Sequence, residues 1–206
     1  MAGVGAEEAR MQREQLGKYL QWVKDEGGVE GPTHLDTMFQ AHQQKRLQWL
    51  RDNVVGTILE CGCCYGFVLA YVGGHIGVDH NPHSIELARI LNPRKEFVCA
   101  GIQALPFPDK CVDTVMFPDV LEHVAWDDVP KVLTEAKRVA RQKILITLPS
   151  IDSSYAQSPK HQWIASPDKV KEMVRQIDGQ VTHSPSGFVG IQQRLDTARG
   201  DDSCSR

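Results

Sequence analysis

The chain has 206 residues, 41% of them hydrophobic and 24% charged, a length that fits one globular domain with appendages rather than two full cores. Its 23 Lys and Arg against 26 Asp and Glu give a net charge of −3, which disfavours a protein that coats nucleic acid by nonspecific phosphate attraction. No apolar run approaches the roughly 20 residues of a membrane span, and the first thirty residues hold no apolar signal segment, so a cytoplasmic setting is expected.

In chain order, Leu16, Tyr19, Leu20 and Val23 recur at i, i+3, i+4, i+7, and after a break at 27–32 the spacing returns in Leu35, Met38, Phe39 and His42. These are two amphipathic helices, the second predicted to run through Leu47 and Leu50 to about Asn53. Neither would hold alone. Residues 1–53 therefore read as a helical arm or lid, 54–194 as the main domain and 195–206 as a disordered polar tail. Strands are predicted at 57–60, 75–79, 97–99, 111–117 and 143–148, each a short apolar run. Between them lie a brief helix at 67–72 and a helix capped by Asn81-Pro82. A third starts at Asp128-Val129-Pro130, with Val132, Leu133, Ala136 and Val139 on one face. A fourth starts at Ser166-Pro167 and stops at Gly179, before two closing strands at 180–183 and 188–194. Alternating strands and helices call for parallel pairing, and the closing pair reads as a hairpin. The expected fold is a doubly wound seven-stranded sheet, mostly parallel with one antiparallel strand, with helices on both faces.

Glu60 ends the first strand and is followed by Cys61-Gly62-Cys63-Cys64-Tyr65-Gly66, a glycine-punctuated turn into a helix, and Asp79 ends the second strand. Glycines let backbone approach a ligand, and a carboxylate at that strand end can accept both hydroxyls of a ribose. Further on stand Leu105-Pro106-Phe107-Pro108-Asp109, Asp113-Thr114-Val115-Met116, Asp119-Val120-Leu121-Glu122-His123-Val124, and Glu135 with Arg138-Val139. In this order the segments resemble the class I S-adenosylmethionine-dependent methyltransferases, over roughly residues 54 to 194. The resemblance implies S-adenosylmethionine as cofactor. Glu60, Gly62, Cys63 and Gly66 would hold it from the first loop, Asp79 and His80 from the second, Gly101, Ile102 and Gln103 from the third, and Phe117 and Asp119 from the fourth strand's end. Two positions depart from the family pattern. Cys64 replaces the middle glycine, which strains a left-handed backbone, and Gly101 falls where many members place an acid against adenine. Both weaken the expected affinity without abolishing binding.

Cys61 and Cys64 form a C-x-x-C, but a zinc site needs two further ligands at suitable spacing. Cys61, Cys99 and Cys111 read instead as small buried hydrophobes. For the chemistry, a helical turn after the fourth strand would bring Asp119, Glu122 and His123 onto one side, a set suited to a hard divalent cation or to a His base steered by a carboxylate. Both favour an oxygen acceptor. His161-Gln162-Trp163 resembles a segment of several O-methyltransferases. By resemblance to ubiquinone-pathway O-methyltransferases and small-RNA 2′-O-methyltransferases, Asp119, Glu122, His123 and His161 would be ligands to Mg2+ or Mn2+, with His123 and His161 catalytic. The expected activity is methyl transfer to a hydroxyl of a small molecule, a sugar or a phenolic metabolite, with nucleic acid an unlikely partner and homodimer formation left open. The alternatives are 2′-O-methylation of an RNA terminus, which should gather Lys95, Arg138, Lys143 and Lys160 beside the pocket, and a cofactor-binding protein without turnover.

Overall fold

The computed structural model describes residues 41–183 and 188–195. The predicted helices before residue 41, the turn at 184–187 and the tail lie outside them.

Helix α1 spans Ala41–Asn53, followed by β1 (Ile58–Cys61), α2 (Phe67–Tyr71), β2 (Ile76–Asp79), α3 (Pro82–Leu91), β3 (Glu96–Cys99) and β4 (Val112–Pro118). Then come α4 (Val129–Val139), β5 (Ala140–Pro149), α5 (Pro167–Ile177), β6 (Gln180–His183) and β7 (Phe188–Arg194). The strands form one sheet in the order β3-β2-β1-β4-β5-β7-β6. Neighbours from β3 through β5 pair in parallel, and β7 runs antiparallel to both β5 and β6. One strand in seven is therefore reversed, as the sequence predicts.

Each face of the sheet has its own core. Leu59, Val115, Phe117, Ile144 and Ile146 pack against Val132, Leu133 and Ala136 of α4 and Met173 and Ile177 of α5. On the other face Ile58, Met116 and Leu145 meet Leu50 of α1, Leu69 of α2 and Ile85 and Ala88 of α3. Burying one such aliphatic side chain contributes about 1.5–3 kcal/mol, so these two layers hold the sheet together. Local chemistry sets the helix starts. The Asn81 side chain accepts from the backbone N–H of His83 and Ser84, with Pro82 in the first turn, and Ser166 accepts from Lys169 N–H. The C-terminus of α5 differs in detail from expectation: Asp178, not Gly179, takes the left-handed cap (φ 54°), and Gly179 N–H closes back on Val174 O at 2.9 Å.

β5 begins three residues earlier than predicted, directly after α4. Its first residues look polar because their side chains serve tertiary contacts: Arg141 donates to Cys111 O, Gln142 to the Asp113 carboxylate and Lys143 to Asn53 O at the end of α1. Together with Trp49, which tilts against Phe188 and covers Gly190, this fixes α1 on the sheet.

The chain winds outward from β1 to β3 and then returns to β4 on the other side of β1. That reversal opens a crevice at the carboxyl ends of β1 and β4, where ligands of doubly wound sheets bind.

Candidate active site

The loop after β1 is shaped by positive backbone angles. Gly62 (φ 70°) and Gly66 (φ 77°) leave no room for a Cβ, which would stand 2.7 Å from Val120 at the first and 2.7 Å from the Phe97 ring at the second. Cys64 between them also takes a left-handed angle, φ 48°, the strain expected from the sequence. Its N–H donates to Asp79 Oδ2 at 2.9 Å, while Asn81 N–H donates to Asp79 Oδ1 at 2.9 Å. The Asp79 carboxylate is thus aimed before any ligand arrives, with lone pairs to spare. His80 beside it is exposed, its Nδ1 3.6 Å from Asp79 Oδ1.

Glu60 is almost fully buried at the end of β1. It takes a hydrogen bond from the backbone N–H of Leu69, one of the orphan donors in the first turn of α2, but its Oε2 has no partner. Burial pushes its pKa well above the ordinary carboxylate range. Of the third-loop candidates, Gly101 is exposed, Gln103 half-buried and Ile102 packed against the α4/α5 core.

Two expectations, one for a cofactor residue and one for a cysteine, need correction. The side chain of Phe117 is sealed in the α4/α5 core with no exposed surface, so it lines no pocket. Cys99, read as buried, is exposed at the end of β3, because that edge strand has a neighbour on one side only. The described cysteines are free thiols, and burial pushes Cys64 up to about 11 and Cys61 and Cys63 higher still. Groups held protonated in this way suit neither zinc nor thiol exchange.

On the β4 side, Asp119 departs from the expected helical turn. It sits at φ 52°, and the turn that follows, Leu121–His123, is a single 3₁₀ turn. The i, i+3, i+4 stacking assumed for Asp119, Glu122 and His123 therefore does not form. Asp119 turns to accept from Thr147 Oγ1 at 2.9 Å, and its Oδ2 lies 3.3 Å from Arg46 Nη1. Glu122, His123 and His161 do come together, with one ligand atom of each within 4.8 Å of the others. Asp119 is not among them. His161 reaches the group because Gln162 N–H donates to Glu122 O at 2.7 Å, tying the loop after β5 to the 3₁₀ turn. The imidazoles of His123 and His161 meet edge to face at 4.8 Å. His123 Nδ1 lies 3.2 Å from Lys160 O and His161 Nδ1 3.2 Å from Ala156 O. A carbonyl only accepts, so in both contacts Nδ1 is the donor. Glu122 is 1% exposed with neither carboxylate oxygen hydrogen bonded. Burial first, and Asp119 second, push its pKa up to about 9.

Arg46 is absent from the candidates read in the sequence. Gln43, Arg46, Leu47 and Leu50 share the i, i+3, i+4, i+7 spacing of one helix face, and all four are buried. A polar pair inside an apolar stripe was the available signal. Of the four basic residues expected to gather for RNA, Lys95 precedes β3 and donates to Gly74 O, Arg138 ends α4, and Lys143 lies near the start of β5. Only Lys160 lies beside the Glu122 group.

Comparison with known proteins agrees with this geometry. Residues 59–146 match the family model described as a methyltransferase domain. A curated Mycobacterium tuberculosis protein named "Probable S-adenosylmethionine-dependent methyltransferase" is 31% identical over 120 residues, covering 56% of this chain and 43% of that one. An uncharacterized protein of Methanocaldococcus jannaschii is 35% identical over 92 residues, 42% of this chain and 36% of its own length. The chain thus spans about two fifths of the curated relatives it matches. Among solved structures, an S-adenosylmethionine-dependent methyltransferase from Thermotoga maritima superposes with a TM-score of 0.65 at 16% identity, covering 90% of this chain and 98% of that one. Magnesium protoporphyrin IX methyltransferase from Synechocystis, solved with S-adenosylhomocysteine bound, gives 0.60 at 14% identity, covering 87% and 94%. Strand order, a glycine loop closing on Asp79 and the matched segment converge on one conclusion: residues 59–146 form a methyltransferase domain, set in the fold shared with S-adenosylmethionine-dependent methyltransferases.

Proposed function

We propose that the chain transfers a methyl group from S-adenosylmethionine to a hydroxyl of a small molecule, a sugar or a phenolic metabolite, with Glu122, His123 and His161 holding a divalent cation. Glu122 carries the reading: its buried carboxylate has no hydrogen-bond partner and stands among two imidazoles beside the donor crevice. Burial opposes ionisation of such a carboxyl, and a bound cation would offset the cost of its charged form. Two imidazoles with one carboxylate suit Mn2+ better than Mg2+.

When bound, S-adenosylmethionine supplies an electrophilic methyl group, and the cation supplies Lewis acidity toward the acceptor oxygen. The chain's own residues do the positioning. Asp79 accepts ribose hydroxyls through the lone pairs that its two amide bonds leave. Glu60 offers the unpartnered Oε2 to the donor's ammonium group. Leu121, fully buried beneath the 3₁₀ turn, fixes the floor on which Glu122 and His123 stand, and holding reactants in line supplies much of such a reaction's acceleration. His123 is exposed, so the proton that the acceptor gives up reaches solvent on its side.

The dispersal of Lys95, Arg138 and Lys143 away from the Glu122 group supports a small acceptor over an RNA terminus. The proposed setting is the cytoplasm, where the free thiols stay reduced; no described helix is long and apolar enough to cross a membrane. Titration with MnCl2, followed by the loss of the free-ion electron paramagnetic resonance signal, tests the cation. One site per chain is expected, lost in His161→Ala and weakened in Glu122→Gln. Absence of binding, or equal binding in all three proteins, contradicts the cation. Methylation of a hydroxyl panel that survives EDTA would transfer the role to His123 acting as a base.

A further inference from the structure

Residues 122–124 and 160–163 belong to separate loops, after β4 and after β5, so the place of His161 beside Glu122 and His123 depends on what joins the loops. The backbone supplies one joint, Gln162 N–H on Glu122 O at 2.7 Å. A side chain supplies another. The Trp163 indole Nε1–H donates to Val124 O at 3.0 Å, one residue beyond His123. With His123 Nδ1 on Lys160 O at 3.2 Å, residues 122, 123 and 124 are each tied to the second loop, and His161 lies inside the tied segment.

Trp163 is itself gripped from two sides. Its ring is buried in the α4/α5 core, and the half-buried Trp126, just before α4, meets it nearly at right angles with ring centroids 4.9 Å apart. Lys169, in the first turn of α5, carries its Nζ 4.9 Å from the Trp126 ring centre and 5.2 Å from that of Trp163. Ser166 steadies that turn by accepting from Lys169 N–H. An ammonium group is attracted to indole faces, so both rings are fastened to the start of a helix that the core already holds. A phenylalanine would pack such a core without needing an acceptor. What tryptophan adds is the N–H, and here it is aimed at the turn that carries Glu122 and His123.

We infer that Trp163 is the positioning residue of the cation group: its indole N–H holds the loop after β5 so that His161 meets Glu122 and His123, and Trp126 and Lys169 keep the indole in place. Such outer partners orient the ligands of a metal, and losing one weakens metal binding about 10- to 100-fold. The inference rests on the cation reading given above.

Titration of the full chain with MnCl2, followed by electron paramagnetic resonance, tests it in wild type, Trp163→Phe and Lys169→Met. Calorimetry with S-adenosylmethionine on the same proteins controls for the donor side. Trp163→Phe keeps an aromatic ring in the core and removes the donor, so its Mn2+ affinity should fall roughly tenfold while S-adenosylmethionine affinity changes little. Lys169→Met should weaken Mn2+ binding by roughly two- to fivefold, although removing a nearby positive charge would by electrostatics alone tighten it. A folded Trp163→Phe variant that binds Mn2+ as tightly as wild type overturns the inference and leaves the cation reading intact. So does a folded variant that loses both affinities alike. If circular dichroism shows Trp163→Phe unfolded, Lys169→Met decides: weaker Mn2+ binding supports the inference, and equal or tighter binding overturns it. Wild type that binds no Mn2+ overturns both the inference and the cation reading.

Discussion

Arg138 and Arg46 sit on opposite sides of the molecule and are used in opposite ways. Arg138, at the end of α4, spends its guanidinium on five aligned hydrogen bonds: to both oxygens of Glu135, to the carbonyls of Leu105 and Phe107, and to the Asp109 carboxylate. Glu135 also accepts from Leu105 N–H at 2.9 Å. The Leu-Pro-Phe-Pro-Asp run and the Glu-x-x-Arg of α4, separate motifs in the sequence, are thus a single clamp in the fold. Arg46 is more deeply buried, yet its one aligned bond among the described residues goes to Gln43. A satisfied, partly exposed arginine holds structure, whereas a buried one left incomplete points to a ligand.

Exchanging either arginine separates the two roles. The largest effect on ligand binding is expected from Arg46→Ala, a roughly 10- to 100-fold loss of S-adenosylmethionine affinity. Its urea midpoint should move little, since removing a poorly compensated buried charge relieves a cost as well as losing packing. Arg138→Ala should do the reverse, lowering stability by about 1–3 kcal/mol in urea titration while reducing donor affinity far less than Arg46→Ala does. An equal loss of donor affinity in both variants would break the distinction.

A smaller effect is expected from pH. The Arg138 hydrogen bonds, opposed by partial burial, hold the Glu135 carboxyl below its ordinary value. A depressed folded pKa contributes stability that is present above the unfolded value, about 4.3, and is lost as pH falls through the folded one. Wild type should therefore lose urea resistance as pH drops below about 4, and Glu135→Gln should be less stable at neutral pH and flatter across that window. A variant as acid-sensitive as wild type would assign the dependence to other carboxylates. The smallest effect is expected at Cys64, where glycine would relieve the left-handed strain at some cost in chain entropy. Thermal denaturation should show Cys64→Gly stabilised by about 0.5–1 kcal/mol.

The fold was legible because its signals are local. The closing strands were predicted at the residues where β6 and β7 stand, and Asn81-Pro82 caps α3 through its own side chain. The donor side was legible for the same reason, since a strand, a glycine turn and an acid are neighbours along the chain. The acceptor side was less so. Asp119 was assigned to a ligand set on an assumed helical period, and the left-handed residue with its 3₁₀ turn broke that period. Arg46 was hidden because charged residues on a helix normally face water, and only the packing of α1 on the sheet turns this one inward. His161 joins the group through a backbone bond from the loop after β5, a contact that no sequence spacing encodes.

The central claim is that the β1/β4 crevice binds S-adenosylmethionine, with Asp79 on its ribose. Calorimetry of wild type and Asp79→Asn with this ligand tests it most directly. The account predicts saturable binding at one site per chain and a loss of at least about tenfold in the variant, the worth of one charge-assisted hydrogen bond. Wild type that takes up no ligand, or a folded Asp79→Asn variant that binds it equally well, would contradict the account.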